Sequence, residues 1–184
     1  RVCVAPHMLG CLIGYAAFLY DILNEDNTTD GKKSDYKGGY KIYGFEFNHA
    51  LKPSKSLVYD VNMSDEHWLV SYNENTAEYV PVPVGYLFAT NLSTVPGVNR
   101  TMPEHIVTLC VEITRDEGMQ FSSKIKLEKG YWELVGPIPE QTASYKSNKE
   151  FKVTQISKEE YTERKLTCAA LLNHQEPIPA FINW

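Results

Sequence analysis

Residues 2–20 carry no charged side chain if histidine is taken as neutral; Asp21 and the run Asn24-Glu25-Asp26-Asn27 then end the apolar stretch. Leu9, Leu12, Ile13, Ala16, Tyr20 and Leu23 recur at helical spacing on one side. Cys11, Tyr15, Phe18, Leu19 and Ile22 fill the other. A helix that is apolar all round belongs in a core or a membrane. A signal peptide would use a basic start, as at Arg1, and a short apolar run such as residues 9–20. A membrane span needs about twenty apolar residues, and Pro6, His7, Gly10 and Gly14 interrupt this one. The adopted expectation is a core helix over residues 8–23.

Residues 24–39 are polar and rich in Gly, Asn and Asp, which predicts a loop. The period then changes. In residues 40–51, Tyr43, Phe45 and Phe47 alternate with Ile42, Gly44 and Glu46, a strand pattern. Further strands are expected at 57–62, 67–72, 79–90, 105–114 and 151–156, with a turn at 63–66. Pro81 and Pro83 lack an N–H, so the first half of 79–90 reads as an edge segment and residues 85–90 as the centrally paired part. Residues 91–103 read as a second polar loop. Residues 121–127 and 131–135 read as a hairpin about Lys129-Gly130. Ser157 with Glu160 is a capping-box pattern opening a helix over 158–173. The tail 177–184 is extended, and Phe181, Ile182 and Trp184 are expected to pack back.

A run of strands with a helix at each end predicts an α+β fold: an antiparallel β-sheet or sandwich packed against a buried N-terminal helix, with a second helix near the C-terminus. The 184 residues make one domain, with residues 1–23 as helix, 40–157 as a strand-rich body and 158–184 as helix and tail. With 43% hydrophobic residues such a chain can close a core, and 22% charged residues argue against wholesale disorder. A net charge of −5 excludes nonspecific attraction to nucleic acid or to an anionic membrane. The short pairings Lys32 with Lys33, Lys124 with Lys126 and Lys129, and Arg164 with Lys165 read as solvated surface.

Four Asn-x-Ser/Thr sequons, at Asn27, Asn62, Asn91 and Asn99, fall in predicted loops or at strand ends and suggest a secreted or extracellular glycoprotein. Four cysteines, Cys3, Cys11, Cys110 and Cys168, are an even number compatible with two disulfides; their apolar surroundings suit buried thiols equally. Their spacing lacks the close pairs of a zinc site, and no metal or cofactor is expected. An intracellular domain of a larger polypeptide is the alternative, and the start at Arg1 suits excision from one.

No Gly-rich phosphate loop, His-Glu-x-x-His, Gly-x-Ser-x-Gly or Cys-x-x-Cys is present. His105 and Cys110 are five residues apart and would face opposite sides of a strand. A pairing of Cys11 with a distant histidine such as His49 or His105 stays open, although an apolar run disfavours a thiolate. The acidic pairs Asp65-Glu66, Asp116-Glu117 and Glu159-Glu160 read as turns or a helix start. The candidate binding surface is Tyr59, His67, Trp68 and Tyr72, aromatic and imidazole groups on neighbouring strands, although burial of Trp68 in the core is the blander reading. The leading expectation is a non-enzymatic domain that recognises a protein or glycan. The rivals are a transferase or hydrolase domain from a toxin or viral polyprotein, with a site assembled from distant loops, and a structural or assembly domain.

Overall fold

The computed structural model describes residues 2–15, 39–46, 50–58, 61–69, 80–95, 104–138 and 150–171. The fold is α+β, with antiparallel sheets and a helix towards each end. Strand β1 (Val2–Val4) leads into helix α1 (Met8–Gly14). Strand β2 (Tyr40–Glu46) follows, then the single-turn helix α2 (Val61–Ser64) and strand β3 (His67–Leu69). The long strands β4 (Val80–Val95) and β5 (Glu104–Ile113) come next. The short pair β6 (Met119–Gln120) and β7 (Lys126–Leu127) precedes β8 (Gly130–Ile138), β9 (Lys152–Ile156) and helix α3 (Lys158–Leu171).

The main sheet has the order β2-β4-β5-β8-β9, antiparallel throughout. Its two faces are different cores. Strand alternation sends Val107, Leu109, Val111 and Ile113 of β5 to one face, where they meet Met8 and Leu12 of α1 and Phe121 and Leu127 of the β6–β7 excursion. Cys110 points the other way and packs with Phe88, Tyr86 and the α3 residues Tyr161 and Cys168. In α3, Tyr161, Arg164, Lys165 and Cys168 repeat every three or four positions, so one stripe of the helix faces the sheet. Ser157 and Glu160 close the predicted capping box: the Glu160 N–H donates to Ser157 Oγ at 3.1 Å, and the Ser157 N–H donates to Glu160 Oε2 at 2.9 Å.

Several expectations are corrected. Helix α1 ends at Gly14 with Tyr15 as its C-cap; residues 16–38, with the rest of the expected helix and nearly all of the expected loop, lie outside the described residues. The strand expected over 57–62 is not found in its described residues: Ser54 accepts the N–H groups of Leu57 and Val58 in a turn, and α2 begins at Val61, while residues 59 and 60 lie outside the described residues. Strand β8 does not form a hairpin with 121–127; it pairs with β5 and β9, while β6 and β7 pair with each other. Residues 91–95 extend β4 rather than opening a loop, and Asn91 stands opposite Thr108. The expected tail and its aromatic residues lie outside the described residues.

The edge reading of the prolines holds in a specific form. Pro81 and Pro83 pair with Phe45 and Tyr43 of β2, whereas pairing of β4 with β5 begins only at Gly85. The β2–β4 register slips between Ile42 and Tyr43, leaving Val84 as an extra residue in β4. That bulge inverts the alternation, so Val84 joins Leu87 and Ala89 on the α1 face while Tyr86 and Phe88 face α3.

Candidate functional site

A cavity of about 640 Å³ opens between the β1–α1 junction, β2, β3 and the turn joining β5 to β6. Its walls are largely apolar, from Val4, Met8, Ile42, Phe45 and Val84. His7, Cys11, Tyr43, His67, Arg115 and Gln120, which carry polar groups, line the same space.

Local structure fixes how the two imidazoles are presented. His7 has extended backbone angles and caps α1, its Nδ1 accepting the Gly10 N–H at 3.0 Å. His67 opens β3 directly opposite Val4 of β1, so the small sheet carries it to the mouth of α1. Its Nδ1 lies 2.8 Å from the Asp65 carbonyl oxygen, which can only accept, so Nδ1 carries the proton. Asp65 adopts a left-handed backbone (φ 51°), a conformation aspartate tolerates better than most residues, and its carboxylate forms an ion pair with Lys52. The Lys52 ammonium holds that carboxyl below the usual aspartate range, and both His7 and His67 add to the effect. The two rings and Lys52 are therefore within electrostatic reach of one carboxylate.

Gly10 sets the closeness of α1 to α2. A side chain there would begin 2.2 Å from the Ser64 carbonyl oxygen and 3.2 Å from Cε1 of His7. A smaller void of about 60 Å³ shares Val4, Ala5 and Cys11 with the cavity and is bordered by Cys3, Ser64 and Glu66. Burial pushes the Cys11 thiol up to about 12, and a backbone contact with Ala5 opposes this only in part. Cys11 is thus a protonated thiol at neutral pH, which weighs against a nucleophilic thiolate. On the opposite wall the Arg115 Nε donates to Glu117 at 2.9 Å, and its Nη1 lies 3.8 Å from where a Gly44 side chain would begin.

Of the four expected binding residues, His67 lines the cavity. Trp68 follows it on β3 and points to the other side, half-buried, its indole N–H donating to Glu66 at 2.6 Å. Tyr59 and Tyr72 lie outside the described residues, as do His49, Asn27 and Asn99. Asn62 is exposed on α2. The disulfide expectation is corrected: none of the four cysteines is in a disulfide. Cys168 donates to the Ala89 carbonyl at 3.4 Å, and Cys110 accepts from Arg164, so each sulfur is turned to a different neighbour. His7 and Arg115 are the site residues that sequence reasoning passed over. His7 did carry a signal, since it stands immediately before the first apolar helical position, where a cap belongs.

Among the described residues, no three His, Cys, Asp or Glu side chains cluster to hold a metal ion, and no helix is long and apolar enough to cross a membrane. A scan against protein-family models matched none, and searches among curated proteins and solved structures returned no match.

Proposed function

We propose that the chain is a binding domain that takes a group of a protein or glycan partner into the cavity beside α1. The observation that carries this reading is the pairing of size with chemistry: about 640 Å³ of largely apolar space, lined by two histidines whose Nδ1 atoms are held by backbone partners. Small-ligand sites have this volume and this mixture of apolar wall and few placed polar groups. The methyls of Met8 and Met119 line the same space and report on it. In an NMR screen of short peptides and oligosaccharides, ligands are expected to move the Met8 and Met119 methyl signals together with the His7 and His67 ring signals. A library that leaves all four in place, or moves only signals elsewhere, sinks the proposal.

One observation favours an enzymatic reading as the second. An imidazole with its Nδ1–H held by a carbonyl and its Nε2 without a partner among the described residues has the form a general base takes. Conversion of a cavity ligand, seen as new product signals that vanish in His67→Phe, would establish it. The compartment has opposed indications. The sequons favour secretion, whereas four cysteines without a disulfide suit a reducing interior. Asn62 is exposed, so a mass loss on enzymatic deglycosylation of protein from its natural source supports the secreted reading, and an unmodified mass rejects it.

A further inference from the structure

We infer that the group this cavity recognises is a secondary amide; the inference rests on the reading of the cavity as a binding site and names its ligand chemistry. The argument is one of hydrogen-bond polarity. His7 Nδ1 accepts the Gly10 N–H, so the ring in that bond carries its proton on Nε2. His67 Nδ1 donates to the Asp65 carbonyl, so its Nε2 carries a lone pair. Neither Nε2 has a hydrogen-bond partner among the described residues, and neither is a sealed-off buried atom. Both rings line the cavity, beside Val4, Met8, Ile42 and Val84, and the ring nitrogens they leave to a ligand are one donor and one acceptor.

That pairing discriminates between functional groups. A carboxylate or phosphate dianion only accepts, and would leave the His67 lone pair facing negative charge. An ammonium only donates, and would leave the His7 N–H unmet. A polyol satisfies both rings but presses its other hydroxyls, unpaired, against apolar wall. A secondary amide supplies one N–H and one carbonyl on a flat unit with apolar flanks. Arg115 does not redirect the site towards anions, since Glu117 already meets its charge. The amide can come from a peptide backbone or from an acetamido sugar.

The test uses the whole chain with carbon-13-labelled histidine rings, at a pH where both rings are observed neutral, and four probes in two pairs. N-acetyl-leucine N-methylamide is compared with the analogue in which both amides are replaced by esters, and N-acetylglucosamine with glucose. At least one amide probe is expected to shift the His7 and His67 signals and to bind about tenfold or more tightly than its counterpart, the loss expected for one unmet buried hydrogen bond. Success in the peptide arm alone identifies a peptide source, and success in the sugar arm alone identifies a glycan source. His7→Asn keeps a side-chain acceptor for the Gly10 N–H, so the cap survives while the ring N–H is lost. This variant and His67→Phe are each expected to abolish the amide preference while thermal melting shows a folded protein. Equal binding of amide and counterpart, with the ring signals still moving, overturns the amide inference and leaves the binding reading intact. Silence from all four probes also overturns it, and only silence in the wider screen as well overturns both.

Discussion

Gly10 and Cys11 are neighbours that make opposite contributions to the site. Gly10 is needed for what it lacks: any side chain there meets the Ser64 carbonyl oxygen at 2.2 Å and the Ala5 Cβ at 2.9 Å. Gly10→Ala gains helix propensity but must push α1 from α2, and is expected to destabilise by about 1–3 kcal/mol in urea unfolding. A neutral or stabilising result would show that the two helices separate freely. Cys11 is half-buried on the cavity wall, where loss of solvent sets its thiol. With its thiol at about 12, native protein is expected to resist carboxymethylation through pH 10 and to react in denaturant, as peptide mass spectrometry would read. The sign for stability follows. A thiol raised on folding favours the native state fully below its unfolded value of about 8.5, and that contribution is lost as pH rises towards 12. Rapid native labelling at pH 8 contradicts the raised thiol. At this scale the apolar run around Cys11 made its inertness legible. The tautomer of His67 was not, because it depends on the left-handed turn at Asp65 that aims a carbonyl at the ring.

Helix α3 shows how far local pattern reaches. Its start is written in Ser157 and Glu160, whose reciprocal bonds need only three residues of separation. Ser157→Ala is expected to cost about 1 kcal/mol, measured as a shift in the unfolding midpoint. Its docking is a different matter. Tyr161 stacks within 5.3 Å of Phe88 and 4.9 Å of Tyr131, and its hydroxyl is buried with no hydrogen-bond partner among the described residues. An unmet buried hydroxyl costs roughly 1–3 kcal/mol, so Tyr161→Phe is expected to leave stability unchanged or raise it. A loss of more than about 1 kcal/mol would mean that the hydroxyl has a partner after all. No sequence pattern announces such an orphan. Pairing of β8 with β5 was hidden for a related reason. The Lys129-Gly130 turn suggested a local hairpin, but Trp132 and Leu134 have matching apolar partners on the distant strand, at Val111 and Leu109.

Among the described residues one five-stranded sheet carries a core on each face, beside two two-stranded sheets, and the cavity belongs to only one of the two faces. Phe121 is fully buried on the α1 side, where Leu9 donates its backbone N–H to the Phe121 carbonyl at 2.8 Å. Phe88 is fully buried on the α3 side. The cores share every central strand: on β5, Leu109 faces one and Cys110 the other. They therefore cannot melt separately without breaking the β4–β5–β8 ladder common to both. Phe121→Ala and Phe88→Ala are each expected to cost about 3–5 kcal/mol. Each should unfold in a single urea transition with the wild-type slope, seen alike by far-ultraviolet dichroism and by tryptophan fluorescence. They should differ in the cavity. Phe121→Ala loosens the seat of α1 and is expected to move the His7 and Met8 signals of the folded protein, while Phe88→Ala, on the far face, should leave them in place. Two transitions in either variant would show that the faces are separate folding units. Equal disturbance of the cavity by both would show that the sheet transmits strain across itself, and that the site is not set by the α1 face alone.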